Sequence, residues 1–237
     1  MTRKLKIILN PEQRKKHVDQ LLKLDGLAHV EEDATAAYCP ISLTQTPAEI
    51  KPYLVERQQL LIEKVLQKAE ITGYDPYSAP FSPDQDLSKL PQEIYLVDSG
   101  KIASARFFVG HNITASTGFG VELEKAVRFN RMAVILLDKK IRVSRMQPHR
   151  VIYLQYENFA QQVEEFVKVF EFLQQFEPGM AFAGKEPVLA GFHLKTGEVV
   201  NLEQSVYEKF PDLKYEYDGE RSIVQLQAIN AQELFPN

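Results

Sequence analysis

Residues 98–124 hold the side chains of this chain that point most directly to chemistry. The segment contains Asp98, two closely spaced glycines (Gly118 and Gly120) and then Glu122. If both carboxyl groups reach the same end of a sheet, one can stabilise or capture a cation while the other assists proton transfer. Such pairs are a recurring means of breaking a glycosidic bond. The segment therefore predicts chemistry based on two carboxylates.

Each carboxylate also has a purely structural interpretation. Asp98 could cap a helix or a turn, and Glu122 could be the acidic residue favoured in the first turn of a helix. We interpret Asp98 instead as a polar residue at the carboxyl edge of a parallel sheet, where such folds bind ligands. We place Gly118 and Gly120 in a turn that leads into the helix of Glu122, where a ligand can approach the backbone closely.

Alternating helical and strand-like segments predict the framework that positions these residues. Apolar runs of strand length lie at 34–41, 71–74, 93–97, 105–109, 132–138 and 151–155. Helices are predicted from a capping box at Thr46 to about residue 68, over 122–130, and after a cap at Asn158. This alternation is typical of an α/β fold with a parallel sheet flanked by helices.

The two ends of the chain depart from this pattern. A short strand at 4–9 and a helix that begins at Pro11 and stops at Gly26 are assigned to an N-terminal extension, residues 1–33. The α/β domain then spans residues 34–177.

The C-terminal residues 178–237 are predicted to form a small strand-rich module. Two hairpins carry this prediction, one at 188–202 and one with an Asp-Gly turn at 214–226. Between the predicted strand at 71–74 and Asp98, residues 75–92 contain four prolines, which predicts an irregular loop that lines a site.

Composition excludes several classes of function. The net charge of −4 predicts no broad basic surface and therefore no nucleic-acid partner. Cys39 is the single cysteine, so an internal disulfide is impossible, and the histidines lack metal-ligand spacing. No apolar run is long enough for a membrane span or a signal peptide. We expect a cytoplasmic protein that binds neither membrane, metal nor cofactor.

The residues from 34 to 157 resemble the nucleoside 2-deoxyribosyltransferase family. The resemblance rests on the order Asp98, the strand at 105–110, the block Gly118-Phe119-Gly120-Val121-Glu122-Leu123, and the strand that follows. It extends to Tyr38-Cys39-Pro40-Ile41 and to the proline-rich residues 74–83. This implies a flavodoxin-like, deoxyribosyltransferase-like fold.

The resemblance also implies roles for the two carboxylates. Glu122 takes the position of the family's nucleophile, which attacks the anomeric carbon of the sugar, and Asp98 that of the acidic residue that orients the sugar and assists proton transfer. Ser116 stands where the family often has an aspartate that contacts the base. Glu124 stands where glycine is usual. Both transfer and hydrolysis of the glycosidic bond therefore remain open.

Other side chains are candidates for substrate binding. His111 and Asn112 follow the strand at 105–110 and could line the pocket, although a loop histidine is commonly structural. Tyr38 and Tyr77 could stack on a base or cover a sugar, or belong to the core. With Ser116, Gly118 and Gly120, they complete the predicted substrate site.

The sequence therefore leads to two hypotheses of different classes. The first is an enzyme that cleaves or transfers the N-glycosidic bond of a nucleoside or nucleotide. The second is a nucleotide-binding sensor or interaction module that keeps the fold without turnover. The family resemblance implies a homo-oligomer in either case.

Overall fold

The computed structural model of the protein describes residues 6–7, 11–42, 46–78, 89–111, 116–138, 151–174, 180–181, 189–193 and 199–201. The strands are β1 (Lys6–Ile7), β2 (Asp33–Tyr38), β3 (Thr72–Tyr74), β4 (Ala105–His111), β5 (Met132–Asp138), β6 (Val151–Tyr156), β7 (Met180–Ala181), β8 (Leu189–His193) and β9 (Val199–Asn201). The α-helices are α1 (Pro11–Leu24), α2 (Lys51–Leu60), α3 (Pro91–Ser104), α4 (Thr117–Arg128) and α5 (Val163–Leu173).

The main sheet confirms the predicted α/β class. Its strands lie in the order β3-β2-β4-β5-β6-β8-β9, and each pair from β3 to β8 is parallel. The first five strands follow the doubly wound, flavodoxin-like order, in which the chain reverses direction across the sheet between β2 and β4. The predicted segments 105–109, 132–138 and 151–155 are the three central strands β4, β5 and β6.

Alternation along the central strand β4 separates two hydrophobic layers. Phe107 and Val109 pack on one face, with α5 and the helix that follows α2. Phe108 packs on the other face with α1, α3 and α4. Because successive side chains of a strand point to opposite faces, Gly110 and His111 at the end of β4 also face opposite layers.

The terminal elements join this framework. Val18 and Leu22 of α1 are buried in the same layer as α3 and α4. The predicted hairpin at 188–202 is present as the antiparallel pair β8 and β9, and β8 extends the main sheet beside β6. The predicted hairpin at 214–226 lies outside the described residues.

Three predicted elements are wrong, one in its type and two in where they begin. The segment 93–97 is not a strand but part of α3, which begins at Pro91 and in which Glu93 accepts a hydrogen bond from the Leu90 N–H (2.9 Å). The predicted helix at 122–130 begins earlier, at Thr117, because Ser116 caps it. The helix predicted from Thr46 begins at Lys51, since the Thr46 hydroxyl donates to the Ser42 carbonyl instead of capping.

Helix α2 continues into a π-helical segment, Leu61–Leu66. The wider π turn has one more residue than an α turn would use. Leu61, Val65 and Leu66 of this segment are buried in the layer that also contains α5. Within the described part of the chain, no helix combines the length and the apolar character needed to cross a membrane.

Candidate functional site

The candidate site lies at the carboxyl edge of the sheet, where the winding reverses. Strand β2 ends at Tyr38 and leads to α2 on one face, whereas the neighbouring β4 ends at His111 and leads to α4 on the other face. The two helices therefore lie on opposite faces beyond neighbouring strand ends, and such a point is the general ligand position in open α/β sheets.

Tyr38 connects the two predicted catalytic carboxylates. Its hydroxyl donates to Oε1 of Glu122 (3.1 Å), and it also lies within hydrogen-bonding reach of Asp98. The negative charge of Asp98 in turn acts on Glu122. The structure thus brings Asp98 and Glu122 together around one phenol, although they are 24 residues apart in the chain.

The route by which Asp98 reaches the site differs from the prediction. Asp98 does not follow a strand; it lies in the middle of α3, which packs beside α4 and carries Ile102 and Ala103 into the core. Glu122 likewise lies in the second turn of α4, not in the first. Its position is therefore not explained by the preference of acidic residues for a helix N-terminus.

Burial changes the protonation of both carboxyls. Desolvation raises the pKa of Asp98 to about 6, against the opposing effect of the Tyr38 hydrogen bond. Desolvation, together with the charge of Asp98, raises the pKa of Glu122 to about 8. At pH 7 the pair therefore holds about one proton, mainly on Glu122, and Asp98 is the charged member.

Tyr38 is held rigidly by aromatic neighbours. Its ring is fully buried and stacks on Tyr74 (centroids 5.8 Å apart) and on Phe108 (5.9 Å). Burial and the nearby Glu122 charge raise the pKa of the Tyr38 hydroxyl well above its usual value. Tyr38 is therefore a neutral donor throughout the physiological range, and its fixed ring orients Glu122.

The start of α4 carries the remaining predicted residues. Ser116 is the N-cap, and its Oγ accepts a hydrogen bond from the Phe119 N–H (3.3 Å). Gly118 and Gly120 are not in a turn before the helix, as predicted, but in its first turn. A Cβ at Gly120 would meet no atom within 4 Å, and one at Gly118 only the Ser116 Oγ at 3.8 Å. The backbone of the first turn is therefore uncovered by side chains at these two positions.

Gly110 has a different role. A Cβ at this position would lie 2.5 Å from Cε2 of Phe119, far inside van der Waals contact. The absence of a side chain lets Phe119 pack directly on the end of β4, where its ring also meets the edge of Phe108. Phe119 precedes Glu122 by one helical turn, so this contact sets the position of Glu122.

His111 does not join the carboxylates. It is buried in the opposite layer, where its ring packs edge-on against Phe159 (5.3 Å). Its desolvation, together with the charge of Arg57, lowers the pKa of His111 to about 3. The imidazole is therefore neutral, and it is no candidate for the acid or base of the Glu122 site.

Tyr77, another predicted substrate-binding residue, has a different partner. Tyr77 is half-buried in the turn after β3, and its backbone N–H donates to Oδ1 of Asp75 (3.0 Å). Asn112 lies outside the described residues. Of the predicted substrate-binding side chains, Tyr38 alone contacts Glu122 among the residues that the structure describes.

Sequence reasoning missed a second polar cluster at the same sheet edge, on the His111 side. Arg57 of α2 bonds to the Tyr156 hydroxyl, packs over the Tyr53 ring (4.2 Å to the centroid) and lies 3.9 Å from the Asp138 carboxylate. Asp138 and Tyr156 are the last residues of β5 and β6, a position that is itself a signal for the carboxyl edge. Among the described residues, no group of three or more His, Cys, Asp or Glu side chains is placed to hold a metal ion.

Comparison of the sequence with models of known protein families and with curated proteins gave no match.

The Tyr38 hydroxyl should control the ionisation of Glu122. Because this hydrogen bond favours the carboxylate, Tyr38→Phe should raise the Glu122 pKa by about one pH unit, as expected for loss of a hydrogen bond to a charged group. The side-chain carboxyl signal of Glu122 in a carbon NMR titration measures this change. Tyr74→Phe is the matched control, because it removes a hydroxyl from the ring stacked on Tyr38 and should leave the Glu122 titration nearly unchanged. An equal change in both variants would contradict the assignment.

Proposed function

We propose that the protein cleaves or transfers the N-glycosidic bond of a nucleoside or nucleotide, with Glu122 as the nucleophile. The observation that carries this proposal is the convergence of Glu122 and Asp98 on the Tyr38 hydroxyl at the reversal point of the sheet. The predicted resemblance to nucleoside 2-deoxyribosyltransferases assigns the same two carboxylates to the reaction.

The chemistry of the bond fits this constellation. Departure of the base leaves positive charge on the sugar, and a carboxylate beside the anomeric carbon can stabilise it or bond to it. If Glu122 bonds to this carbon, the product is a glycosyl ester and the bond to the base breaks. Water then yields free sugar, whereas a second base yields a new nucleoside. Tyr38 supports the attack because it holds one oxygen of Glu122 in place and favours its ionised form.

The single proton of the pair has a defined use. In the free protein it lies mainly on Glu122, so it must leave before Glu122 can attack. Asp98, which is charged at pH 7, is the nearby group able to accept it and pass it to the departing base. Pairs of carboxyls whose pKa values are held apart are the usual arrangement for such acid and base roles.

Release of free base tests the proposal directly. A panel of ribo- and deoxyribonucleosides and their 5′-monophosphates, followed by chromatography, should identify at least one substrate. Glu122→Ala should then reduce turnover on the order of 10³-fold or more, as loss of a nucleophile does. Glu124→Ala is the control, since Glu124 is exposed on the same helix and should retain activity. Undiminished turnover by Glu122→Ala would exclude Glu122 as the nucleophile.

One observation favours the second hypothesis, a nucleotide-binding module without turnover. A carboxyl with a pKa of about 8 is neutral at pH 7 and can donate a hydrogen bond to a ligand. A nucleoside or nucleotide that raises the melting temperature, and is recovered unchanged after prolonged incubation, would support this function. Appearance of free base in the same samples would refute it.

A further inference from the structure

A cavity of about 300 Å³ lies at the amino edge of the sheet, opposite the edge that carries Glu122. Helix α1 forms one wall, the segment before β2 forms another, and Arg131 at the start of β5 closes the inner end. Its lining residues are mainly charged: Lys15, Val18, Asp19, His29, Val30, Glu31, Glu32 and Arg131. The site proposed above uses none of them.

One ion pair and one hydrogen bond join the walls of this cavity. Arg131, whose side chain is nearly inaccessible, bonds to Glu32, and His29 Nδ1 lies 2.5 Å from Oδ1 of Asp19. The Arg131–Glu32 pair joins the start of β5 to the segment before β2, and the His29–Asp19 pair joins that segment to α1. The charged walls are therefore already held in place in the unliganded chain.

Two opposite charges in the lining have no such ion-pair partner among the described residues. Lys15 on α1 and Glu31 before β2 are both exposed. The apolar part of the wall is small, since Val30 is partly exposed whereas Val18 is almost fully buried in the core. As far as the described residues go, the cavity thus offers Lys15 and Glu31 as charges without an ion-pair partner, together with a small apolar surface, within a volume at the lower end of the range for ligand sites.

We propose that this cavity binds a free α-amino acid with a small apolar side chain. The ligand's carboxylate pairs with Lys15, its ammonium group pairs with Glu31, and its side chain lies on Val30. A zwitterion satisfies both unpaired charges at once, whereas a ligand with one charge leaves the other wall unpaired. This site is independent of the proposed function.

Other ligand classes fit the same walls poorly. Asp19, Glu31 and Glu32 would repel a phosphate, and a diamine would leave Lys15 without an anionic partner. The described side chains of this lining form no group that could hold a metal ion.

Calorimetric titration of the full chain with valine and the other standard amino acids tests the proposal. Valine should bind, whereas 3-methylbutanoate, which lacks the ammonium group, and 2-methylpropylamine, which lacks the carboxylate, should bind at least about tenfold more weakly. Lys15→Ala and Glu31→Gln should each weaken valine binding to a similar extent. Lys16→Ala, which removes an exposed neighbouring cation outside the cavity, should leave it unchanged.

Three outcomes would overturn this assignment. The first is that no standard amino acid binds at roughly 10 mM, since even weak specific sites are filled at that concentration. The second is that the two valine analogues bind as well as valine. The third is that Lys16→Ala weakens binding as much as Lys15→Ala, which would indicate a general effect of charge rather than a site.

Discussion

Glu122→Gln should be more stable than the wild-type protein at pH 9, even though it removes the proposed nucleophile. The expected gain in the free energy of unfolding is on the order of a few kcal/mol, since each unit of pKa difference between folded and unfolded states corresponds to about 1.4 kcal/mol. Urea unfolding at pH 5, 7 and 9 measures it. The cause is the cost of a charged carboxyl in the desolvated space between α3, α4 and Tyr38.

The direction follows from proton binding. The pKa of Glu122 is about 8 in the folded protein and about 4.5 in a solvated chain. Between these values the folded state binds more protons, so wild-type stability falls as the pH rises and its loss is complete above about pH 8. Glutamine stays neutral, so its advantage should be small at pH 5 and largest at pH 9. Asp98, with its pKa raised to about 6, adds to the wild-type decline at lower pH.

A matched control separates this effect from a general change of charge. Glu124→Gln removes the same charge two residues further along α4, at an exposed position, and should change stability little at any of the three pH values. If Glu122→Gln were less stable than wild type at pH 9, the folded protein would have to favour the Glu122 carboxylate, contrary to its burial beside Asp98.

Gly110→Ala should destabilise the protein and disable the site together. The new methyl group would overlap the Phe119 ring, and Phe119 has little freedom because it is buried against Phe108 and follows the Ser116 cap. Overpacking of this kind costs about 1–3 kcal/mol. Relief requires α4 to move away from β4, which separates Glu122 from the Tyr38 hydroxyl. Thermal or urea unfolding measures the first effect, and the Glu122 titration measures the second.

A second-site variant tests the cause. Phe119→Leu lacks the outer ring atoms that the alanine methyl at position 110 would meet. The loss of unfolding free energy in the double variant Gly110→Ala/Phe119→Leu should therefore be smaller than the sum of the losses in the two single variants. Gly120→Ala makes the same chemical change one turn into α4, where a Cβ meets nothing, and should stabilise the helix by about 0.5–1 kcal/mol. If the two losses of unfolding free energy simply added, the contact with the Phe119 ring would not be what excludes a side chain at position 110.

The central framework was predictable because its signals are long and consistent. The strands β4, β5 and β6 are continuous apolar runs, which is typical of strands buried on both faces. The spacing of Val163, Phe166, Val167, Phe170 and Leu173 likewise matches the buried face of α5. These elements bring Glu122 to the correct edge of the sheet.

The wrong element predictions fall where a short apolar run fits both the two-residue period of a strand and the 3.6-residue period of a helix. Ile94–Val97 is four apolar residues, and such a run cannot distinguish a strand from one turn of a helix. Pro91 and Glu93 were the deciding signals, because proline favours the first helical turn and Glu93 reaches back to the Leu90 N–H. Similarly, Gly118 and Gly120 indicated a turn, whereas Ser116 indicated a helix N-cap.

The partners within the site were beyond sequence reasoning. Strand alternation places His111 and Gly110 on opposite faces of the sheet. Only the structure shows that α4, which carries Glu122, packs on the Gly110 side. The role of Tyr38 depends on a contact across 84 residues, from the end of β2 to the second turn of α4. No local pattern encodes such a contact.

The π-helical segment Leu61–Leu66 makes this helix tolerant of one particular change of length. A residue added to or removed from a regular α-helix rotates everything on one side of it by about 100°. The π turn already holds one residue more than an α turn, so deletion of one residue here would leave an α-helix in which Arg57 and Gln58 still meet Tyr156 and the Cys39 carbonyl while Val65 keeps its place in the core. A deletion between Gln58 and the π turn has no such compensation and would turn Arg57 and Gln58 away from these partners. The π turn is therefore where this helix can lose a residue in evolution without losing its contacts.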